Sequence, residues 1–115
     1  MNLVGRNIEY IVKVGARTTL VINIKDSTGA VRDLSNATTY ATAVWKVWKP
    51  DGTLLINGAA TYGNRASGEI TYALTAADTV VANEGVWEGE VEMLNSSAVM
   101  TEQSETFNFT IEESY

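Results

Sequence analysis

The sequence predicts an all-β domain of seven to nine short strands, packed as two antiparallel sheets or closed into a barrel. Three observations carry this prediction. Apolar residues recur at a spacing of two in nearly every segment, the pattern of a strand with one buried face. Turn chemistry returns about every ten residues. No segment shows the 3.6-residue period of a helix over about ten residues, which excludes a βαβ layout. At 115 residues, 45% hydrophobic and 19% charged, the chain is expected to be one globular domain spanning 1–115, too small for two cores and too apolar for disorder.

The elements follow in order. Ile8, Tyr10 and Val12 alternate with Glu9 and Lys13, and Leu20, Ile22 and Ile24 alternate with Val21, Asn23 and Lys25, giving two half-buried strands. Asp26-Ser27-Thr28-Gly29 has the side-chain acceptor and the glycine of a tight turn. A short strand is expected at Ala30–Asp33, then an irregular link or single helical turn over Leu34–Ala37. The longest strand is expected at Thr39–Lys49. It has Ala41, Ala43, Trp45 and Val47 on one face and Tyr40, Thr42, Val44, Lys46 and Trp48 on the other. Trp45 is placed inside because its face carries no charge. Pro50-Asp51-Gly52 ends the strand in a turn with Gly52 at positive φ. Thr53–Asn57 returns, with Ala59–Tyr62 continuing after a kink at Gly58.

A loop over Gly63–Gly68 leads to a strand with Ile70, Tyr72 and Leu74 inward. Thr75-Ala76-Ala77-Asp78 is the one helical signal, a capping box around a single turn. Asn83-Glu84-Gly85 breaks it. Trp87, Gly89, Val91 and Met93 then alternate with Glu88, Glu90 and Glu92, so that strand has one apolar and one acidic face. Asn95-Ser96-Ser97 reads as a hairpin turn, and Val99–Glu113 closes the chain with Phe107, Phe109 and Ile111 inward.

Composition excludes several function classes. With no Cys and no His there is no disulfide framework, no thiolate nucleophile, no zinc site of the usual kind and no His-dependent triad. Net charge is −6, the basic residues are scattered singly from Arg6 to Arg65, and nothing basic follows Arg65. That distribution argues against nucleic acid and anionic membranes as partners, because phosphate binding needs clustered cations. Met1–Tyr10 holds Arg6 and Glu9 and no apolar secretory core, and no run approaches the ~18 residues of a membrane span. The chain is expected to be made in the cytoplasm or to be a fragment of a longer protein, and the missing cysteine fits a reducing compartment.

The candidate chemistry is sparse. Glu88, Glu90 and Glu92 stand roughly 6.6 Å apart in sequence steps of two, near the carboxyl spacing of an inverting glycosidase. Glycoside hydrolysis needs carboxyls on opposite sides of a sugar, one of them in apolar surroundings. Three on one strand face read as a solvated or docking face instead. Asp26, Asp51, Asp78 and Asn83-Glu84 at loop ends could offer oxygens to calcium, but there is no calcium-loop spacing and turn formation explains them. No phosphate-binding glycine loop is present. No catalytic, cofactor or metal residue is assigned. Trp45, Trp87, Phe107 and Phe109 have inward parity and are expected in the core. Trp48, beside Lys46 and Val44 on the other parity, covers the sandwich edge, meets a protein partner or stacks on a sugar. The expected contact residues are therefore Trp48, Lys46, Glu88, Glu90 and Glu92.

Several ordered motifs carry a family resemblance. Asp33-Leu34-Ser35-Asn36-Ala37-Thr38 is followed by an alternating strand ending Trp48-Lys49-Pro50-Asp51-Gly52-Thr53. Gly68-Glu69-Ile70-Thr71-Tyr72-Ala73-Leu74, Thr75-Ala76-Ala77-Asp78-Thr79 and Gly85-Val86-Trp87-Glu88-Gly89-Glu90-Val91 come after. Together, over about residues 15–111, they resemble the immunoglobulin-like N-terminal domain of phage upper baseplate proteins. Asn36 stands where that family has glycine, and the family's domain normally precedes a fibre-forming region, whereas this sequence stops at Tyr115. The resemblance implies an antiparallel immunoglobulin-like β-sandwich. It also implies a non-catalytic structural module of a phage or prophage tail, docked on other virion proteins in rings of three or six and assembled in the host cytoplasm. A carbohydrate-binding or adhesion sandwich is the alternative, resting on Trp48.

Overall fold

The structure, a computed structural model, describes residues 8–26, 28–49 and 51–113. Among the described residues eight strands form: β1 (Glu9–Lys13), β2 (Thr19–Asn23), β3 (Thr42–Trp48), β4 (Leu54–Tyr62), β5 (Glu69–Ala73), β6 (Gly85–Leu94), β7 (Met100–Gln103) and β8 (Phe107–Glu112). They pair in the order β1-β8-β6-β3-β4-β5-β2, with β7 on the far end of β6. β4 links the two layers. Its first part pairs with β3 and its last residues, Thr61 and Tyr62, pair with β5. One layer thus holds β1, β8, β7, β6, β3 and the start of β4. The other holds β2, β5 and the end of β4, the immunoglobulin-like division of strands. The Tyr10 hydroxyl donates to the Val21 carbonyl at 2.7 Å, joining the first strand of the path to the last and nearly closing a barrel.

The period-two readings hold where one face is buried. Leu20, Ile22 and Ile24 are buried, as are Ile70, Tyr72 and Leu74, Val91 and Met93, and Phe107, Phe109 and Ile111. Trp45 is fully buried at the centre of an aromatic cluster. Its ring lies edge-on to Tyr10 (5.7 Å), stacked on Tyr72 (5.9 Å) and tilted against Phe107 (5.2 Å). Gly89 fits this cluster because a Cβ there would come within 2.5 Å of the Lys46 carbonyl oxygen and 2.6 Å of the Phe107 ring. The turns also follow their chemistry. Gly52 takes φ +91°, and the Asp51 carboxylate accepts from Thr53 N. Around the 3-10 turn Ala76–Thr79, Thr75 Oγ1 accepts from Asp78 N while Asp78 Oδ2 accepts from Thr75 N and the Tyr72 hydroxyl. Ser27 and Pro50, read as turn residues, lie outside the described residues.

Five expectations need correction. β1 runs parallel to β8, with Tyr10 opposite Phe109 and Val12 opposite Ile111, so the sheet is mixed. The expected strand at Ala30–Asp33 shrinks to a single bridge, Lys25 with Val31. The Leu34 N–H bonds the Arg65 carbonyl instead, and Leu34 is drawn into the core with no exposure. β3 starts at Thr42, because the Asn36 side chain accepts from Thr38 N and Thr39 N and holds a turn in front of it. Val99–Glu113 is two strands. Between them Ser104 N donates to the Val91 carbonyl, and the Ser104 hydroxyl accepts from Val91 N, so a side chain replaces one backbone rung. Trp87 has the expected parity but is half-buried: it closes the end of the core, with Nε1 donating to the Asn83 carbonyl and Lys49 Nζ 5.5 Å from its ring centre.

Candidate docking face

Alternation along β3, β6, β8 and β1 turns a second set of side chains away from the core, and the register places them side by side. Val44, Lys46 and Trp48 stand opposite Glu92, Glu90 and Glu88. Glu88 in turn faces Asn108, which faces Glu9 on the edge strand. The five residues expected to make contacts therefore do share one face. Lys46 is level with Glu90, but its ammonium bonds diagonally to Glu92 Oε1 at 3.0 Å. Glu90 Oε1 accepts from Gln103 Nε2 at 2.8 Å. Burial raises the Glu90 carboxyl above its ordinary pKa, the Glu92 charge raises it further, and Lys46 opposes both.

The rest of the face differs in character. Glu88 and Glu9 are exposed, and neither makes an ion pair among the described residues. In the next row Ile11, Thr110 and Val86 stand side by side, with Ile11 54% and Val86 61% exposed. Beyond them Lys13 Nζ meets Glu112 Oε1 at 3.0 Å. An open apolar pair with carboxylates unpaired among the described residues on one side and an ion pair on the other suits contact with another surface. A row of carboxylates on an open sheet lacks the facing arrangement that sugar hydrolysis requires. Trp48 is half-buried and is no free platform. Sequence reasoning missed Ile11 and Val86. Their outward parity was legible, but which strands lie side by side was not.

Of the loop-end acids, Asp26, Asp51 and Asp78 are engaged in turns. Asp26 Oδ1 accepts from Thr28 N, Thr28 Oγ1 and Ala30 N, and the Thr28 hydroxyl foremost holds its pKa below the ordinary value. Asp51 is lowered likewise, chiefly by the Thr53 N–H. Among the described residues no three acidic side chains converge as a metal site would need, and no helix is long and apolar enough to cross a membrane.

No protein-family model matches the chain, and no curated protein matches its sequence. Solved structures do match its fold. The N-terminal domain of phage TP901-1 ORF48 aligns with a TM-score of 0.68 and 9% identity, covering 92% of this chain and 88% of that one. CopC from Methylosinus trichosporium OB3b aligns with a TM-score of 0.50 and 14% identity, covering 95% and 88%. At such identities the likeness is one of fold.

Proposed function

We propose that this chain is a non-catalytic structural module of a phage or prophage tail that docks on other virion proteins through the outer face of β1, β8, β6 and β3. The observation that carries the reading is the fold shared with a phage protein's N-terminal domain over 92% of the chain, following the ordered motifs noted in the sequence. The face supports it physically. Ile11 and Val86 offer exposed apolar area on it, while Glu9 and Glu88, exposed and without an ion pair among the described residues, offer charge to a cationic partner. Two copies meeting through this face would set carboxylate against carboxylate. A threefold or sixfold ring joins unlike patches of neighbouring copies, so this repulsion bars only a face-to-face pair, and we assign the face to a different, cationic virion protein. The sugar-binding alternative needs an open indole, and Trp48 is half-buried.

Particles purified from a host carrying the gene test the reading by immunoblot. The protein is expected in the particles at a fixed ratio to the major tail protein. A Val86→Glu, Glu88→Lys variant is expected to keep the thermal midpoint but fail to be incorporated. Absence of the unmodified protein from particles refutes the assignment, and normal incorporation of the variant refutes the face.

A further inference from the structure

Among the described residues β2 ends the strand path and is paired on one side only, with β5. Its ladder has a definite phase. Leu74 N donates to the Thr18 carbonyl at 3.1 Å, and Ile24 N donates to the Gly68 carbonyl at 2.8 Å. Even-numbered residues therefore bond toward β5, so the backbone N–H and C=O groups of Thr19, Val21 and Asn23 are directed away from it. Among the described residues, the one partner on that side is the Tyr10 hydroxyl, on the Val21 carbonyl. Beside this edge runs a groove of about 220 Å³ lined by Ile8, Tyr10, Val21 and Ile22, with Lys25 and Glu105 among its polar residues.

An unpaired edge is a template for another strand unless it is blocked. β2 contains no proline and no bulge, but charge brackets it. Arg17 lies before it and Lys25 after it, both exposed and neither in an ion pair among the described residues. In antiparallel self-pairing centred on Val21, Arg17 of one copy falls opposite Lys25 of the other. Like charges opposed across strands repel, so a second copy is disfavoured and a strand with carboxylates at its ends is favoured.

We propose that the open edge of β2 accepts an extended acidic segment of another protein as an added antiparallel strand. Its terminal carboxylates meet Arg17 and Lys25, and its alternate apolar side chains turn into the groove beside Tyr10 and Ile22. This rests on strand geometry and charge and stands apart from the virion assignment.

The test measures fluorescence anisotropy of the full chain with two labelled peptides. One has glutamate at each end and alternating valine and threonine between; the other has lysine ends. The acidic peptide is expected to bind about tenfold more tightly. Val21→Pro removes a seam-facing N–H and no β5 rung, and is expected to abolish binding. Arg17→Glu with Lys25→Glu, both at exposed positions, is expected to reverse the preference and does not depend on how the strand tolerates proline. The proposal is overturned by no binding, by equal affinity for the two peptides, or by unchanged affinity in both variants. It is also overturned if binding appears only after residues 1–7 are removed, or if self-association of the chain competes the peptide away.

Discussion

Replacing Trp45 tests the architecture most directly. It is the largest fully buried side chain, and Trp45→Ala would withdraw a ring that Tyr10, Tyr72 and Phe107 all pack against. Such a truncation costs about 3–5 kcal/mol, a large share of the roughly 5–15 kcal/mol that holds a domain together. The thermal midpoint should fall on the order of 10–20 °C. Trp48→Ala, at a half-buried position, should cost about 1 kcal/mol. Trp45→Phe separates two terms. Trp45 Nε1 is buried and has no hydrogen-bond partner among the described residues. Removing an unmet donor regains about 1–3 kcal/mol, while the lost apolar volume forfeits a similar amount. Trp45→Phe is therefore expected within about 1 kcal/mol of the parent. Urea unfolding at constant m-value reads all three variants. If Trp45→Ala is no worse than Trp48→Ala, the ring is not in the core. If Trp45→Phe is as damaging as Trp45→Ala, the indole N–H is not a burden.

Gly89→Ala should destabilise by about 1–3 kcal/mol or more, because the new methyl meets the Lys46 carbonyl and the Phe107 ring; wild-type urea unfolding would contradict the close approach. Ser104→Ala should cost about 1–2 kcal/mol by leaving Val91 N without its acceptor, with faster amide exchange at Val91 as the specific readout. Burial pushes the Tyr10 hydroxyl up to about 12 and, with the Asp78 hydrogen bond, the Tyr72 hydroxyl as well. In the unfolded chain both titrate near 10. The folded state holds these protons longer, so their contribution is intact below pH 10 and is lost as pH rises through 12. Urea midpoints between pH 8 and 12 should fall, and fall less steeply in Tyr10→Phe; an unchanged slope contradicts the assignment.

How far the sequence could be read depends on what each residue encodes. Ile70, Tyr72 and Leu74 declare a buried face because burial and alternation coincide, and the same parity put Trp45 inside and Glu88, Glu90 and Glu92 outside. Alternation is silent about direction, so the parallel run of β1 along β8 was invisible. It is also silent about neighbours. The Ile11–Thr110–Val86 row joins residues far apart in the chain and emerges only from the register. Leu34 lies in an irregular link as expected, but its burial goes with two long-range bonds to Arg65 that alternation does not encode, and the break at Ser104 depends on a hydroxyl taking a backbone role. Local chemistry was legible where it is self-contained, as in the box joining Thr75 and Asp78.

The parallel pairing of β1 with β8 has a mechanical consequence. A pull applied between Glu9 and Glu112 acts along two strands that run the same way, so the rungs joining them are loaded in shear and must fail together. The same force applied across the hairpin of β6 and β7 would open its rungs one after another from the end. A single-molecule stretch along the first direction should meet the higher rupture force, giving this domain one axis along which it bears tension well.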